Sequence, residues 1–200
     1  VICVSESTRK DFLEISRIPK EKTVVIYEGV GENFKLQNVH EVETFKKKMK
    51  LPDNFVLAIS GIGERKNLRR VTEASREYNL IISGEDIPWI PYAELPLLYA
   101  SAKVLLYPSF YEGFGLPIVE AMACGIPVIT SNISSMTEAG GNAALYVDPN
   151  SADDIKGKLH QVMEDKDLRD SLIKKGFAQA QKFSWQRCAE ETAAVYMSLY

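Results

Sequence analysis

Short, continuous apolar runs alternate with amphipathic segments from residue 55 to the end of the chain. The apolar runs predict buried strands over residues 55–60, 80–83, 103–107, 127–130 and 144–147. Apolar residues at helical spacing predict helices over residues 67–78, 93–102, 116–123, 151–164, 166–183 and 184–199. Strands that are apolar on both faces and joined by helices indicate a parallel sheet with helices on each side. The expected fold class is therefore α/β, a Rossmann-like doubly wound parallel sheet.

The first 50 residues show the same alternation of strands and helices, but less regularly. They predict strands over residues 1–4 and 23–27, and helices over residues 8–15 and 44–51. Ser5 has the residue type and the position of an N-cap for the first helix. The second helix is rich in lysine, and we expect its lysines to form a solvated face. No internal repeat or low-complexity linker separates this segment from the rest of the chain.

Composition and charge exclude several functional classes. The 200 residues contain 24 Lys and Arg against 27 Asp and Glu, which gives a net charge of −3. That balance excludes a generally basic nucleic-acid-binding chain. Hydrophobic residues make up 46% and charged residues 26%, which excludes a disordered or fibrous protein. The apolar runs are far shorter than the roughly 18–20 residues that a membrane-spanning helix requires.

The cysteines and histidines predict neither a disulfide framework nor a metal site. Cys3, Cys124 and Cys188 are odd in number and widely spaced, so we expect buried thiols in a reducing compartment. His40 and His160 stand alone and are expected at the surface. The chain begins with Val and lacks the charged segment that opens a signal peptide. We therefore interpret it as part of a longer, cytoplasmic protein.

Two cations follow the first strand of the regular alternation. Residues 61–67 read Gly-Ile-Gly-Glu-Arg-Lys-Asn, between a predicted strand and a predicted helix. Glycines let the backbone approach a ligand closely, and a helix N-terminus offers free N–H groups. Arg65 and Lys66 stand at a helix start, where the helix dipole disfavours positive charge. This combination favours a diphosphate site, although the segment matches neither the GxGxxG motif nor the P-loop.

The most informative segment begins directly after the strand over residues 103–107. It reads Pro-Ser-Phe-Tyr-Glu-Gly-Phe-Gly-Leu-Pro-Ile-Val-Glu-Ala-Met-Ala-Cys-Gly-Ile-Pro-Val over residues 108–128. Glu112 precedes the predicted helix and Glu120 lies within it, so both can reach one ligand bound over the helix N-terminus. Carboxylates accept hydrogen bonds from pairs of sugar hydroxyls, and the N–H groups of residues 113–116 can donate to phosphate oxygens.

This segment is similar to the signature of the GT-B retaining glycosyltransferases of family 4, the glycosyltransferases group 1. The shared pattern is Glu-x7-Glu within Ser-x-x-Glu-Gly-Phe-Gly-Leu-Pro-x-x-Glu-Ala-Met-Ala-x-Gly-x-Pro-Val. Further segments agree in order along nearly the whole chain, at residues 4–7, 25–30, 65–68, 137–149 and 183–185. The resemblance implies that residues 1–200 are the C-terminal, donor-binding half of a GT-B fold. The N-terminal acceptor domain of that family is not among these residues.

The resemblance also implies a reaction and a role for each site residue. The reaction is sugar transfer from a nucleoside diphosphate sugar with retention at the anomeric carbon. Arg65 and Lys66 would hold the diphosphate and its developing charge. Glu112 would contact the donor sugar, and Glu120 would bind the ribose hydroxyls. Backbone groups lining the sugar and the phosphates would come from Gly113, Phe114, Gly115 and Leu116. Members of this family generally need no divalent metal, so we expect no cofactor.

One segment is shorter than in the family. Between Gly84 and Tyr92 the family has a longer strand–helix–strand insert, on the side where the nucleoside base binds. Only a few residues bridge that distance here. We expect Ile90, Pro91 and Tyr92 to form the wall against the base.

The predicted donor is GDP-mannose, and three alternatives are weighed against it. The Arg-Lys-Asn-Leu form of residues 65–68 is most similar to mannosyl- and rhamnosyl-transferring members. A UDP-hexose is the alternative donor, and a nucleotide-binding module without catalysis is the alternative class. A dinucleotide-dependent oxidoreductase is disfavoured, because no GxGxxG follows the first strand and no acidic residue stands about 20 residues further on. The expected acceptor is a glycan or a lipid-linked glycan, not nucleic acid, with peripheral association of the full-length protein at the cytoplasmic face of a membrane.

Overall fold

Parallel strands form the centre of the fold. The computed structural model describes residues 1–61, 63–88 and 90–199, so Ile62 and Trp89 of the predicted loops lie outside the described residues. The strands in the described part are β1 Ile2–Cys3, β2 Val24–Val25, β3 Val56–Ile59, β4 Leu80–Ser83, β5 Val104–Tyr107, β6 Val128–Ser131 and β7 Ala144–Val147. β1 pairs with β2, and the others form a sheet in the order β4-β3-β5-β6-β7. All these pairs are parallel, which confirms the predicted sheet.

The helices follow the predicted alternation with a few shifted boundaries. They are α1 Glu6–Ile15, α2 Val39–Met49, α3 Leu68–Ala74, α4 Leu95–Ser101, α5 Leu116–Ala123, α6 Met136–Gly140, α7 Ala152–Glu164, α8 Lys166–Ala180 and α9 Trp185–Met197. α2 begins earlier than predicted because Asn38 caps it, its side chain accepting a hydrogen bond from His40 N at 2.9 Å. α4 begins later than predicted because a separate 3₁₀ turn, Tyr92–Glu94, precedes it. The short α6 was not predicted.

Helices cover both faces of the five-stranded sheet. Successive strand residues point to opposite faces. Leu57 and Leu105 pack in a core that includes residues of α4 and α5, whereas Val56 and Val104 pack in a second core with α3 and α7. All four side chains are 0% exposed. Burying such a side chain stabilises the fold by about 1.5–3 kcal/mol, so the central strands β3 and β5 are firmly held. The doubly wound arrangement is therefore confirmed.

Lys46 contradicts the predicted solvated lysine face of α2. Its side chain is nearly buried, and its ammonium lies 3.4 Å from Glu43 Oε1 and 3.3 Å from Asp53 Oδ1. Asp53 lies beyond the end of the helix, so the helical pattern could not reveal this contact. Lys47 and Lys48 are exposed, as predicted.

The cysteines and histidines are close to their predicted environments. Cys3 and Cys124 are buried free thiols, whereas Cys188 on α9 is half-buried rather than buried. His40 and His160 are exposed. Within the described residues, no three His, Cys, Asp or Glu side chains stand together as metal ligands. In the same residues, no helix combines the length and the apolar character needed to cross a bilayer.

Residues far apart in the sequence meet where β2 ends and α9 begins. Val30 N donates to Phe183 O at 3.3 Å, and Val30 forms a parallel bridge with Ser184. A Cβ added to Gly29 would lie 2.0 Å from Trp185 N. The nearest atoms are all backbone atoms of Ser184 and Trp185, which cannot move aside as a flexible side chain could, so this contact requires glycine.

We expect Gly29→Ala to lower the free energy of unfolding by about 1–3 kcal/mol, because it overpacks a backbone contact. Urea denaturation followed by circular dichroism measures the change. Gly157→Ala in α7 is the matched control, because an added Cβ there meets no atom within 4 Å. Alanine also has the higher helix propensity, so the control is expected to be neutral or stabilising. Equal stability of the two variants would contradict the role given to Gly29.

Candidate functional site

The carboxyl ends of β3 and β5 mark the position at which a doubly wound sheet forms its crevice. These strands are neighbours in the sheet. The chain leaves β3 towards α3 on one face and leaves β5 towards α5 on the other face. Open α/β sheets bind ligands at such a switch of direction. Both sequence motifs, residues 61–67 and 108–116, follow these two strands and therefore lie at the crevice.

Arg65, Lys66 and Glu112 form one ion cluster at the crevice. Arg65 Nη1 lies 2.5 Å from Glu112 Oε2, and Lys66 Nζ lies 2.8 Å from Glu112 Oε1. The side chain of Arg65 is 45% exposed, whereas those of Lys66 and Glu112 are 6% and 9% exposed. The three predicted catalytic residues are thus brought together. Because two cations share one carboxylate, the cluster keeps a net positive charge.

Tyr107 completes this cluster, and the sequence analysis did not single it out. Its hydroxyl donates to Glu112 Oε1 at 2.8 Å and also contacts Lys66 Nζ. The Lys66 ammonium lies 4.3 Å from the centroid of the Tyr107 ring. The one signal in the sequence is a tyrosine at the last position of a strand, directly before the motif that carries Glu112.

Burial and ion pairing oppose each other at the two buried charges. Burial raises the pKa of Glu112, but hydrogen bonding and the charge of Lys66, with a hydrogen bond from Tyr107, bring that pKa below its usual value. Burial lowers the pKa of Lys66, and the hydrogen bond and charge of Glu112 offset part of that effect. Glu112 is therefore ionised at neutral pH. Each of these two charges depends on the other for its stability.

Asn67 fastens the cationic segment to the end of the sheet. Its side chain is nearly buried, and its backbone has a φ of 57°, a left-handed conformation that Asn tolerates. Asn67 Nδ2 donates to Pro108 O at 3.0 Å and to Pro149 O at 2.7 Å. Asn67 thereby joins the loops after β5 and β7 to the segment that carries Arg65 and Lys66.

The loop of residues 112–116, called the glycine loop below, is anchored by Phe114. This side chain is buried, and its ring centroid lies 5.7 Å from that of Tyr27 and 5.1 Å from that of Phe183. Gly115 has a φ of 103° directly before α5 begins at Leu116, a conformation that favours glycine. Since Phe114 points into the core, its backbone groups rather than its ring are what the loop can offer to a ligand.

Glu120 stands apart from the ion cluster. Tyr99 on α4 donates its hydroxyl to Glu120 Oε2 at 2.7 Å. Burial raises the pKa of Glu120, and this hydrogen bond offsets part of the rise. Burial and then the charge of Glu120 raise the pKa of Tyr92. Glu112 and Glu120 thus have separate sets of partners.

The three residues predicted to form the wall against the base differ in exposure, since Pro91 and Tyr92 are exposed and Ile90 is buried. Ile90 is 7% exposed and belongs to the core, so its side chain offers little surface to a ligand. Tyr92 is 54% exposed and packs edge-on against Phe34, with a centroid distance of 5.4 Å. The described residues between β4 and the 3₁₀ turn form a tight turn and one bridge, Ser83–Ile87, rather than a helix. Tyr92 and Pro91 therefore present surface to a ligand, and Tyr92 is the one of them with an aromatic ring to stack on a base.

Comparison with known protein families gives a match over residues 8–179. The description of the matching family is Glycosyl transferases group 1. The matched range includes the ion cluster, the glycine loop and Glu120.

Two curated proteins are similar to the chain over most of its length. O-antigen chain mannosyltransferase B from Escherichia coli is 32% identical over 230 residues, covering 100% of this chain and 60% of the relative. O-antigen chain mannosyltransferase RfbU from Salmonella typhimurium is 29% identical over 198 residues, covering 86% of this chain and 52% of the relative. The chain thus spans less than two thirds of either relative.

Solved structures with low sequence identity share the fold. Sucrose-phosphate synthase from Thermosynechococcus elongatus aligns with a TM-score of 0.82 at 23% identity, covering 100% of this chain and 58% of its own. Anabaena Alr3699/HepE in complex with UDP and glucose aligns with a TM-score of 0.85 at 18% identity, covering 99% of this chain and 63% of its own. The chain therefore has the fold of a C-terminal domain of the GT-B glycosyltransferases.

Proposed function

Because the chain belongs to the group 1 glycosyltransferase family, we propose that it binds GDP-mannose and contributes the donor site for retaining mannosyl transfer, as in family 4. The observation that carries this proposal is the ion cluster of Arg65, Lys66 and Glu112 at the crevice. A diphosphate needs positive charge, and the cluster supplies it with one cation buried and the other half exposed. A carboxylate between them is placed to contact the sugar attached to that diphosphate.

The chemistry follows from where charge develops. Breaking the bond between the sugar and the diphosphate leaves negative charge on the departing phosphate oxygen. Preorganised cations and N–H donors aimed at that oxygen lower the barrier without reorganisation during the reaction. Arg65 and Lys66 supply the cations, and residues 113–116 of the glycine loop supply the N–H groups. Glu112 accepts hydrogen bonds from the sugar hydroxyls, and Glu120 accepts them from the ribose. No metal ion is needed for these contacts.

The choice of mannose is supported by the relatives. Several similar proteins carry names of mannosyltransferases, among them two that act on O-antigen chains. A UDP-hexose is the second candidate donor, because HepE was solved with UDP and glucose. The acceptor that we propose is a glycan or a lipid-linked glycan at the cytoplasmic face of a membrane.

Residues 1–200 are proposed to be one half of the enzyme. The chain spans 60% of O-antigen chain mannosyltransferase B, and GT-B sites lie between two domains. Positioning donor and acceptor together can account for about 7–11 kcal/mol of a barrier. We therefore expect these residues alone to bind the donor and to transfer nothing to an acceptor.

Titration calorimetry of GDP, UDP and NAD in the presence of EDTA tests the proposed donor class. GDP is expected to bind most tightly, and the chelator is expected to change nothing. Tighter binding of UDP would shift the proposal to a UDP-hexose, and tighter binding of NAD would overturn it. The shortened segment beside Tyr92 favours the alternative of a binding module without catalysis. Sugar transfer by the full-length protein decides between a module and an enzyme.

We expect Glu120→Gln to weaken GDP-mannose binding by about 1–3 kcal/mol at neutral pH, because a charged acceptor for the ribose is lost. The ionised carboxylate is the binding form, so wild-type affinity is complete above the pKa of Glu120 and falls as the pH drops through it. Because burial raises that pKa, the loss begins at a higher pH than for an exposed glutamate. Calorimetry across a pH series measures this, and the variant should lack the dependence. An unchanged pH profile in Glu120→Gln would contradict the ribose role. Glu190→Gln on α9 is the control.

A further inference from the structure

The backbone carbonyl of Glu112 is held by two hydroxyls. Ser134 Oγ donates to Glu112 O at 3.0 Å, and Ser135 Oγ donates to the same oxygen at 2.8 Å. Ser135 is 0% exposed, and Ser134 has a φ of 56°, an uncommon left-handed conformation for serine. Glu112 N also donates to Ser134 Oγ, at 3.4 Å. A strained residue thus contacts both ends of the residue that carries the central carboxylate.

The next carbonyl along the chain is held in the same way by hydroxyls of another element. Ser5 Oγ donates to Gly113 O at 2.6 Å, and Thr8 Oγ1 donates to it at 2.9 Å. Both hydroxyls belong to the start of α1, more than 100 positions away in the sequence. Capping explains only part of this, since Ser5 caps α1 by accepting from Thr8 N at 3.0 Å. The Thr8 hydroxyl has no capping role: it donates to Gly113 O of the glycine loop and lies within hydrogen-bond distance of Ser5 Oγ, at 3.0 Å.

The four hydroxyls determine which backbone groups of the glycine loop remain free to bind a ligand. A carbonyl oxygen has two lone pairs, so Glu112 O and Gly113 O each have both of theirs engaged. In a trans peptide the N–H points opposite to the C=O. The N–H of Gly113 therefore points away from the hydroxyls of Ser134 and Ser135, and the N–H of Phe114 points away from those of Ser5 and Thr8. Successive backbone N–H groups on one side of a loop form a site for an anion.

We propose that the hydroxyls of Ser5, Thr8, Ser134 and Ser135 are positioning groups that turn the N–H donors of Gly113 and Phe114 towards the donor diphosphate. They act through the loop backbone and do not touch the ligand. The same contacts occupy the carbonyl oxygens of Glu112 and Gly113, so these two peptide units offer N–H donors to phosphate oxygens rather than acceptors to hydroxyl groups. This inference rests on the proposed function, and it adds residues that neither sequence motif of the site contains.

Thr8 allows the sharpest test. Valine has nearly the same shape as threonine but lacks the hydroxyl, whereas serine keeps the hydroxyl. Thr8→Val is expected to weaken GDP binding by about 3- to 10-fold, the effect of one hydrogen bond. Thr8→Ser is expected to bind GDP as the wild type does. Guanosine lacks phosphate, and its affinity, measured by NMR titration, should be the same for all three proteins. Thr44→Val is the matched control, since its hydroxyl bonds only to His40 O at 2.8 Å within α2, among the described residues.

The outcomes distinguish a failure of the positioning role from a failure of the proposed function. Measurements well below the thermal transition of every variant keep the comparison among folded proteins. If the wild type binds GDP and Thr8→Val binds it equally well, the positioning role alone is overturned. An equal loss of guanosine affinity, or a Thr8→Ser variant as weak as Thr8→Val, would assign Thr8 to fold stability and would also overturn it. Failure of the wild type to bind either GDP or UDP would overturn the proposed function and this inference with it.

Discussion

Glu112→Gln is expected to lower mannosyl transfer by the full-length protein by about 100- to 1,000-fold, the usual cost of losing one contact made in the transition state. Free GDP should bind the variant at least as tightly as it binds the wild type. The reason is electrostatic: Glu112 pairs with both Arg65 and Lys66, and its carboxylate competes with a diphosphate for them. The amide removes that negative charge together with the proposed contact to the sugar.

Calorimetry with GDP and turnover at saturating GDP-mannose measure the two effects separately. Glu77→Gln is the matched control, because Glu77 also pairs with a lysine, Lys156, at 2.7 Å. It lies after α3, before β4 begins, and so away from the carboxyl ends of the strands. A large loss of GDP affinity in Glu112→Gln would mean that Glu112 mainly holds Lys66 in place. Full turnover in that variant would leave the carboxylate with a structural role and would favour the binding module.

Lys66→Met is expected to weaken GDP binding by about 1.5–3 kcal/mol, the range for hydrogen bonds to a charged group. The methionine side chain keeps the apolar length of the lysine stem, and the charged ammonium is removed. Glu112 keeps Arg65 as a partner, so the carboxylate is not left alone. Turnover should fall further than affinity, because the charge on the leaving diphosphate is larger in the transition state.

Lys46→Met is a close control for this change. Lys46 is also nearly buried and also paired with carboxylates, but it lies on α2 outside the crevice. Its substitution should lower thermal stability without changing GDP affinity. Equal losses of affinity in the two variants would indicate a general effect of removing a buried lysine. Unchanged affinity in Lys66→Met would refute the diphosphate site.

The sequence alone determined the features that depend on neighbouring residues. The bounds of β4, α5 and β7 agree with the predicted ranges 80–83, 116–123 and 144–147. Each is a mainly apolar run bounded by glycine, proline or polar residues, and such signals act within a few positions. The same holds for Ser5 as a cap, since a cap bonds to the N–H of a residue three positions away.

Only the tertiary structure decided which side chains of the site contact one another. Glu112 contacts cations 46 and 47 positions away because β3 and β5 are neighbours in the sheet, and no local pattern states that order. The chain's periodicity likewise gives no sign that Lys46 would be buried or that Tyr107 would join the ion cluster. Side-chain contacts of this kind depend on which strands and helices pack together, and that choice is made by burial over the whole domain rather than by any one segment.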